Sequence, residues 1–204
     1  MTLSGKTKQE VLTEFRCAEI LDAARHVFAE KGFTEATVDA IAEAAGVSKG
    51  TVYLYFPSKR EIYLAALMKG VQEMVELTWK EVEAAAGSRA RIAAFIGTRL
   101  GYFERHREFF RIYHCEFGAI VQPAALRTEF KSLYLQQLKA LERVVDEGIK
   151  AGEIRPARVA TLAAAIFEMT RGVTLARLLG NSEEPVASEA EELTEMVWRG
   201  IATS

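Results

Sequence analysis

Apolar residues recur at helical spacing along almost the whole chain, and no stretch alternates apolar and polar residues long enough to indicate a β-strand. Half of the 204 residues are hydrophobic and 26% are charged, which is typical of a folded globular protein. The pattern therefore predicts an all-α fold. Proline is expected in the first turn of two later helices, at Pro123 and Pro156. The spacing indicates nine helices, the first ending near Gly32 and the others covering about 38–45, 48–55, 58–86, 89–104, 107–119, 123–151, 156–179 and 187–202.

Capping signals separate a short N-terminal set of helices from a longer remainder. Gly46 suits the left-handed conformation that ends the second helix, and Ser48 suits the N-cap of the third. Pro57 closes this set. Ser58 and Glu61 have the spacing of a capping box, which indicates that a long new helix begins there. We therefore expect two domains, residues 1–57 and 58–204.

The segment from Thr37 to Tyr55 has the features of a helix-turn-helix. Gly46 stands where the turn needs a left-handed residue, and Ala42 where the two helices must touch closely. Burial of the apolar positions leaves small, hydrogen-bonding and basic side chains facing outward, which suits the major groove of DNA. The alternative is a helical hairpin buried in a larger bundle, in which Tyr53, Tyr55 and Phe56 would be core aromatics.

The charge distribution favours the DNA-binding interpretation. The formal net charge is −2, which argues against nonspecific coating of nucleic acid. All the acidic residues of the first 60 lie between Glu10 and Glu43, so the stretch from Ala44 to Arg60 contains Lys49, Lys59 and Arg60 and no acidic residue. The segment is therefore a local basic patch.

Residues 32–67, GFTEATVDAIAEAAGVSKGTVYLYFPSKREIYLAAL, resemble the DNA-binding signature of TetR/AcrR-type repressors. Outside this segment the agreement is limited to length, helix number and helical content. The resemblance implies an N-terminal three-helix DNA-binding domain and a C-terminal helical domain for ligand binding and dimerisation. It implies phosphate contacts from Thr37, Ser48, Tyr55 and Lys59, and major-groove contacts from Lys49, Gly50, Thr51 and Tyr53.

A homodimer is expected, because one recognition helix reads only a few base pairs and specific binding normally needs two copies. The last two predicted helices have apolar faces suited to a four-helix interface. The alternative is that these faces close the core of a monomer. The candidate interface residues are Leu162, Ile166, Met169 and Val173 on one helix, and Leu193, Met196, Val197 and Ile201 on the other.

Aromatic residues are concentrated between residues 89 and 151, where the resemblance implies a ligand cavity. Such stripes are also the pattern of ordinary core packing. Basic residues nearby suggest an anionic ligand such as an acyl thioester as an alternative to a largely apolar one, although most of them would face water. Arg171 has Glu168 as an expected i, i+3 partner. The candidate ligand residues are Phe95, Arg99, Tyr102, Phe103, Phe109, Tyr113, Phe117, Tyr134, Phe167 and Arg171.

The sequence has no pattern that indicates catalysis, a cofactor or a metal site. The three histidines lack the spacing of metal ligands, and Cys17 and Cys115 are expected to be free thiols. No apolar stretch reaches the roughly 20 residues needed to cross a bilayer, and the polar start lacks a signal peptide. A cytoplasmic protein without a membrane partner is expected.

The expected function is therefore a homodimeric repressor that binds palindromic operator DNA and is released by an unidentified small molecule. One alternative is an activator of the same fold with the opposite response to the ligand. Another is an all-helical enzyme or adaptor in which the helix-turn-helix serves only packing.

Overall fold

The computed structural model describes residues 7–110, 124–180 and 182–203. Within these ranges there is no strand, and the only extended pairing is an isolated bridge between Ile154 and Ala202. Residues 107–110 are also helical, and the remainder of the helix expected at 107–119 lies outside the described residues. The prediction of an all-α fold is confirmed. The helices are α1 (Lys8–Glu35), α2 (Val38–Ala44), α3 (Lys49–Tyr55), α4 (Lys59–Ala84), α5 (Ser88–Arg105), α6 (Ala124–Lys150), α7 (Val159–Leu178) and α8 (Val186–Ile201).

The described residues form two compact units. The first comprises residues 7–70 and 108–110, and the second comprises 71–107, 124–180 and 182–203. Helix α4 contributes residues to both units. The domain boundary expected after residue 57 stays a prediction.

The core of the first unit forms around α1. Ile20, Ala24 and Phe28 are fully buried on one face of this helix. Gly32 has φ 71°, which interrupts the helical conformation where the sequence predicted the end of the helix. The ring of Phe33 then stacks on Phe28 with 5.7 Å between centroids. The chain therefore turns back onto α1 just after Gly32.

The core of the second unit is formed by α5, α6, α7 and α8, with Val82 from the end of α4. Large apolar side chains from all four helices are buried together, as expected for helices that each have one apolar face. The buried members of this core are Val82, Ile92, Phe95, Ile96, Leu100, Leu141, Val144, Val145, Ile154, Ala163, Ile166, Phe167, Leu193, Val197 and Ile201.

The start of α7 differs from the prediction. The helix begins at Val159, so the expectation that Pro156 lies in its first turn is wrong. The N–H of Arg155 donates to the carbonyl oxygen of Ile201 at 2.8 Å, and that of Thr203 donates to Glu153 at 3.2 Å. These long-range bonds hold residues 153–155 extended against the end of α8. The chain then uses residues 156–158 to turn, so α7 starts later than predicted.

A close approach of α6 to its neighbours explains Gly148. A Cβ atom at this position would lie 2.5 Å from the Oγ of Ser88 and 2.6 Å from the Cδ1 of Ile154. Any side chain would therefore force apart the end of α6, the start of α5 and the segment that follows α6.

By length and composition alone, α7 is the one helix in the described ranges that could cross a membrane. Its buried residues Ala163, Ile166 and Phe167 belong to the core of the second unit. The helix also carries Arg177, which pairs with two carboxylates. These are properties of a core helix, so the match is weak evidence for a membrane span.

Candidate functional site

Local capping and turn geometry build the helix-turn-helix as predicted. The hydroxyl of Thr37 accepts a hydrogen bond from the N–H of Ala40 at 3.1 Å at the start of α2. Gly46 has φ 65° in the turn. The hydroxyl of Ser48 then accepts from the N–H of Thr51 at 3.1 Å, which caps α3.

Burial fixes which face of α3 is presented to solvent. Val52 and Ile41 are fully buried and Phe56 is nearly so, which anchors α3 within the first unit. Tyr53 is 46% exposed, contrary to the alternative in which it would be a core aromatic. Ser48, Lys49 and Gly50 are also exposed, whereas Thr51 and Tyr55 are half-buried. Leu54 is 82% exposed and was not predicted as a surface residue.

The polar groups on this face are held in place by one another. The ammonium group of Lys49 lies 2.7 Å from a carboxylate oxygen of Asp39 in α2, and this hydrogen bond raises the pKa of Lys49. The hydroxyls of Ser48 and Thr51 are 2.8 Å apart. The candidate DNA-contacting groups of α3 are therefore positioned before any DNA is bound, and Asp39 would compete with phosphate for Lys49.

Lys59 has a structural role that the sequence did not indicate. Its ammonium group donates to the carbonyl oxygens of Phe33 at 2.7 Å, Thr34 at 3.1 Å and Ala36 at 2.8 Å. An ammonium group has three donors, and all three are used here. A phosphate contact from Lys59 would require one of these bonds to be given up.

In the second unit, α5 carries a buried arginine between aromatic rings. Arg99 is 5% exposed, and its guanidinium carbon lies 5.2 Å from the ring centroid of Phe95 and 4.7 Å from that of Phe167. One of its terminal nitrogens donates to the side-chain oxygen of Gln137 in α6. Its Nε has no hydrogen-bond partner in the described structure. Burial lowers the pKa of Arg99 to about 10, and the nearby charge of Glu168 opposes this shift.

A cavity of about 220 Å³ lies in the second unit among α4, α5 and α6. It is smaller than the roughly 300–1,000 Å³ usual for ligand pockets, so a larger ligand would have to displace side chains. One wall is Trp79, whose ring centroid is 5.8 Å from that of Phe95. The lining residues are Val75, Trp79, Glu83, Arg91, Gln136, Ala140, Arg143, Val144 and Glu147.

The structure brings some of the predicted ligand residues together. Phe95, Arg99 and Phe167 form one buried group, and the ring of Tyr134 contacts Phe167 with 5.1 Å between centroids. Tyr102 is buried and donates to Glu73 at 2.9 Å, and Phe103 is half-buried beside it.

Other predicted ligand residues lie elsewhere. Phe109 belongs to the first unit, where its carbonyl oxygen accepts from the hydroxyl of Tyr63 at 3.0 Å, and its contact with a ligand stays a prediction. Arg171 is 68% exposed and pairs with Glu168 at 2.9 Å. Its pairing is as predicted, but its side chain faces solvent. Tyr113 and Phe117 lie outside the described residues.

Burial divides the predicted dimer residues into two groups. Ile166, Leu193, Val197 and Ile201 are core residues, with at most 6% of each exposed, and their assignment to an interface is wrong because their own protomer covers them. Met196 is 58% exposed. Leu162, Met169 and Val173 are half-buried. Two further exposed apolar residues were not predicted, Leu175 in the last turn of α7 and Leu179 directly after it.

Two buried polar residues were also missed. Gln137 is 4% exposed and is the hydrogen-bond partner of Arg99. Arg177 is 6% exposed and lies 3.0 Å from a carboxylate oxygen of Glu104 and 2.6 Å from one of Glu189. The sequence signal for Arg177 is the same as that for Arg171, namely a cation within a largely apolar run.

Two family models match the chain. Residues 20–66 match the tetR family of bacterial regulatory proteins, and residues 85–175 match the tetracyclin repressor-like C-terminal domain. The first match contains the helix-turn-helix, and the second contains all of α5 and most of α7.

Curated proteins and solved structures give the same result. A fatty acid metabolism regulator protein of Bacillus subtilis is 27% identical over 137 residues, which cover 67% of this chain and 70% of that protein. The transcriptional activator FasR of Mycolicibacterium smegmatis is 27% identical over 191 residues, which cover 92% of this chain and 83% of FasR. The crystal structure of FadR from Bacillus subtilis in complex with stearoyl-CoA is 23% identical, with a TM-score of 0.73 over 90% of this chain and 98% of that chain.

The helix-turn-helix geometry, the all-helical second unit and the two family matches lead to one assignment. The chain belongs to the TetR family of bacterial transcriptional regulators.

Proposed function

We propose that the protein is a cytoplasmic homodimer that represses transcription from a palindromic operator and is released by an acyl ligand. The observation that carries the proposal is the outward face of α3. Val52 anchors the helix in the core, and Ser48, Lys49 and Tyr53 face solvent with donors that suit phosphates and base edges.

On DNA, we assign the base-edge contacts to α3 and the phosphate contacts to its margins. Lys49, Gly50, Thr51 and Tyr53 would enter the major groove, and Thr37, Ser48 and Tyr55 would bind phosphates. Lys59 would act mainly by fixing the end of α1, because its three donors already bind carbonyl oxygens.

The apolar surface of α7 supports the proposal of a homodimer. The most apolar window of the helix has a mean hydropathy of 1.3, yet only 28% of that window is buried. Leu175 is an exposed large apolar residue on it, Leu179 is another directly after its end, and Met196 is a third on α8. A second copy of the chain would cover this apolar surface. It would also supply the second recognition helix that a palindromic operator needs.

The proposal of an acyl ligand rests on the relatives together with the second unit. The relatives include a regulator of fatty acid metabolism and a fold neighbour solved with stearoyl-CoA. This chain offers a cavity next to an aromatic group and a buried arginine. Because α4 contributes to both units, a ligand that prefers a different position of α4 would change the affinity for DNA by linkage.

An activator is the second candidate. The alignment with FasR covers 92% of this chain, and FasR is a transcriptional activator by name. The fold is compatible with either repression or activation of transcription. A reporter assay in a strain that lacks the gene distinguishes the two.

The proposed function is tested with purified full-length protein and the intergenic DNA beside its own gene. We expect a protected palindrome in footprinting, and an affinity that falls steeply between about 50 and 200 mM salt. Lys49→Ala should reduce the salt slope by about one, whereas Lys80→Ala, an exposed lysine of α4, should not. Absence of a protected palindrome, or equal slopes for the two variants, would contradict the proposal.

A further inference from the structure

Arg99 is a buried cation that lacks an anionic hydrogen-bond partner in the described structure. Its neighbours are the rings of Phe95 and Phe167 and the neutral amide of Gln137, and its Nε has no acceptor. A buried charge is costly unless it is paired, and a guanidinium group suits two oxygens of one acid. The surroundings of Arg99 therefore favour an additional oxygen acceptor.

The nearest acidic residue does not fill this role. One carboxylate oxygen of Glu168 accepts from the hydroxyl of Tyr134 at 3.1 Å, and the other lies 2.9 Å from the Nε of Arg171. Both oxygens are engaged by other residues, so Glu168 acts on Arg99 only through its charge.

A row of aromatic contacts connects Arg99 to the cavity. Trp79 lines the cavity, its ring contacts Phe95, and Phe95 contacts the guanidinium group of Arg99. Phe95 and Arg99 lie behind Trp79 and do not line the cavity themselves, so an apolar chain that extends from the cavity must displace Phe95. Its polar end group then meets the unpartnered Nε of Arg99.

We propose that Arg99 binds the acyl oxygen of the effector, which is either a carboxylate or an acyl thioester attached to an apolar chain. This inference rests on the proposed function, and it adds the chemistry of the end group and the residue that recognises it. Gln137 orients Arg99 and does not contact the effector. Arg171 has no part in recognition, because it is exposed and paired with Glu168.

The test uses full-length protein and three probes that share a ten-carbon chain, namely decanoate, decanoyl-CoA and decan-1-ol. Their affinities are measured by isothermal titration calorimetry. We expect decanoate, decanoyl-CoA or both to bind at least about tenfold more tightly than decan-1-ol, because the alcohol lacks the acyl oxygen and its neutral hydroxyl cannot form the charge-paired, two-oxygen contact of a carboxylate. Preference for decanoate identifies a free acid, and preference for decanoyl-CoA alone identifies a thioester.

Gln137→Glu is the decisive variant because it keeps the shape of the side chain and places a carboxylate beside Arg99. This internal anion should compete with the probe and abolish the preference for the acyl oxygen, while the melting temperature without probe is unchanged or higher. Gln72→Glu, at an exposed position of α4 in the same unit, is the matched control and should retain the preference.

Three outcomes would overturn the inference: no binding of any probe, equal affinities for alcohol and acyl probes, or an undiminished preference in Gln137→Glu. Arg99→Met adds an independent check, since it removes the charge and keeps much of the volume, and it should bind all probes with equal affinity. Operator binding without probe is measured for every variant. If the wild-type protein does not bind the operator, the proposed function itself is contradicted. If it binds the operator but shows no preference for the acyl probes, only the role of Arg99 is contradicted.

Discussion

The ammonium group of Lys59 lies 4.6 Å from the ring centroid of Phe33 and donates to the carbonyl oxygen of the same residue at 2.7 Å. Lys59 begins α4, and Phe33 lies at the end of α1 just after Gly32. The cation thus satisfies carbonyl oxygens where a helix ends, and a positive charge is favourable there. Helices α2 and α3 lie between Phe33 and Lys59 in the chain, so this connection closes the segment that contains both.

Replacement of Lys59 should therefore affect folding before it affects DNA binding. We expect Lys59→Met, which keeps the apolar stem, to lower the free energy of unfolding by about 1–3 kcal/mol through loss of hydrogen bonds to the helix end. Urea unfolding followed by circular dichroism measures this. Lys80→Met is the control and should be neutral. A stable Lys59→Met with a reduced salt slope for operator binding would instead assign Lys59 to phosphate.

Gly50 separates the requirements of DNA binding from those of folding. A Cβ atom at this position would meet only the Oγ of Ser48, at 3.7 Å, which is an ordinary contact. Glycine costs a helix about 0.5–1 kcal/mol relative to alanine, so its presence here is unfavourable for the fold. Close approach of the backbone to DNA would explain it.

We expect Gly50→Ala to leave the protein as stable or more stable, and to weaken operator binding. Gly97→Ala in α5 is a matched control, because a Cβ atom there has nothing within 4 Å. Thermal melting and fluorescence anisotropy with operator DNA measure the two effects. If Gly50→Ala binds the operator as tightly as Gly97→Ala does, the backbone of residue 50 is not close to DNA.

The helix-turn-helix was predictable because its signals are local. Gly46 and Ser48 act within a few residues of their own positions, and the structure has them in the predicted conformations. The start of α7 was not predictable in this way. It depends on hydrogen bonds from residues 153–155 to the end of α8, which are about 50 residues away in sequence.

The two arginines of α7 show a second limit of sequence reasoning. Arg171 and Arg177 both interrupt an apolar run, and only the tertiary structure shows that Arg171 is exposed and Arg177 is buried with Glu104 and Glu189. Arg99 was selected from its helical stripe, but its partner Gln137 lies 38 residues away. Periodicity identifies an apolar face, but it does not identify the helix that covers it.

The dimer proposal predicts the effect of a charge on the exposed face of α7. Leu175 is 37% exposed, and burial of a glutamate at this position in a dimer would be costly. We expect Leu175→Glu to convert the dimer into a folded monomer and to weaken operator binding. Light scattering coupled to size-exclusion chromatography measures the mass.

Leu135→Glu is the control for this prediction, since Leu135 is 45% exposed on α6 and has no part in the proposed interface. It should remain a dimer. A dimeric Leu175→Glu, or a monomeric wild-type protein, would show that this face of α7 is not the interface.

Glu153 predicts a change of stability in acid. Its carboxylate accepts from the N–H of Ser88 at 2.6 Å at the start of α5, and this bond lowers the pKa of Glu153 below 4.5. A group whose pKa is lower in the folded state stabilises the protein above its unfolded pKa, and this contribution is lost as the pH falls through the folded value. We expect Glu153→Gln to be less stable than the wild type at pH 7, with a difference that shrinks as the pH falls below the usual glutamate pKa of about 4.3 and is lost as the pH falls through the lower pKa of the folded state. Urea unfolding from pH 7 down into this acidic range measures the difference in the free energy of unfolding.

Glu191→Gln is the control, because it removes an exposed carboxylate from α8, and its stability relative to the wild type should not change with pH in this way. A constant difference between Glu153→Gln and wild type across this range would mean that the charge of Glu153 does not contribute to the cap.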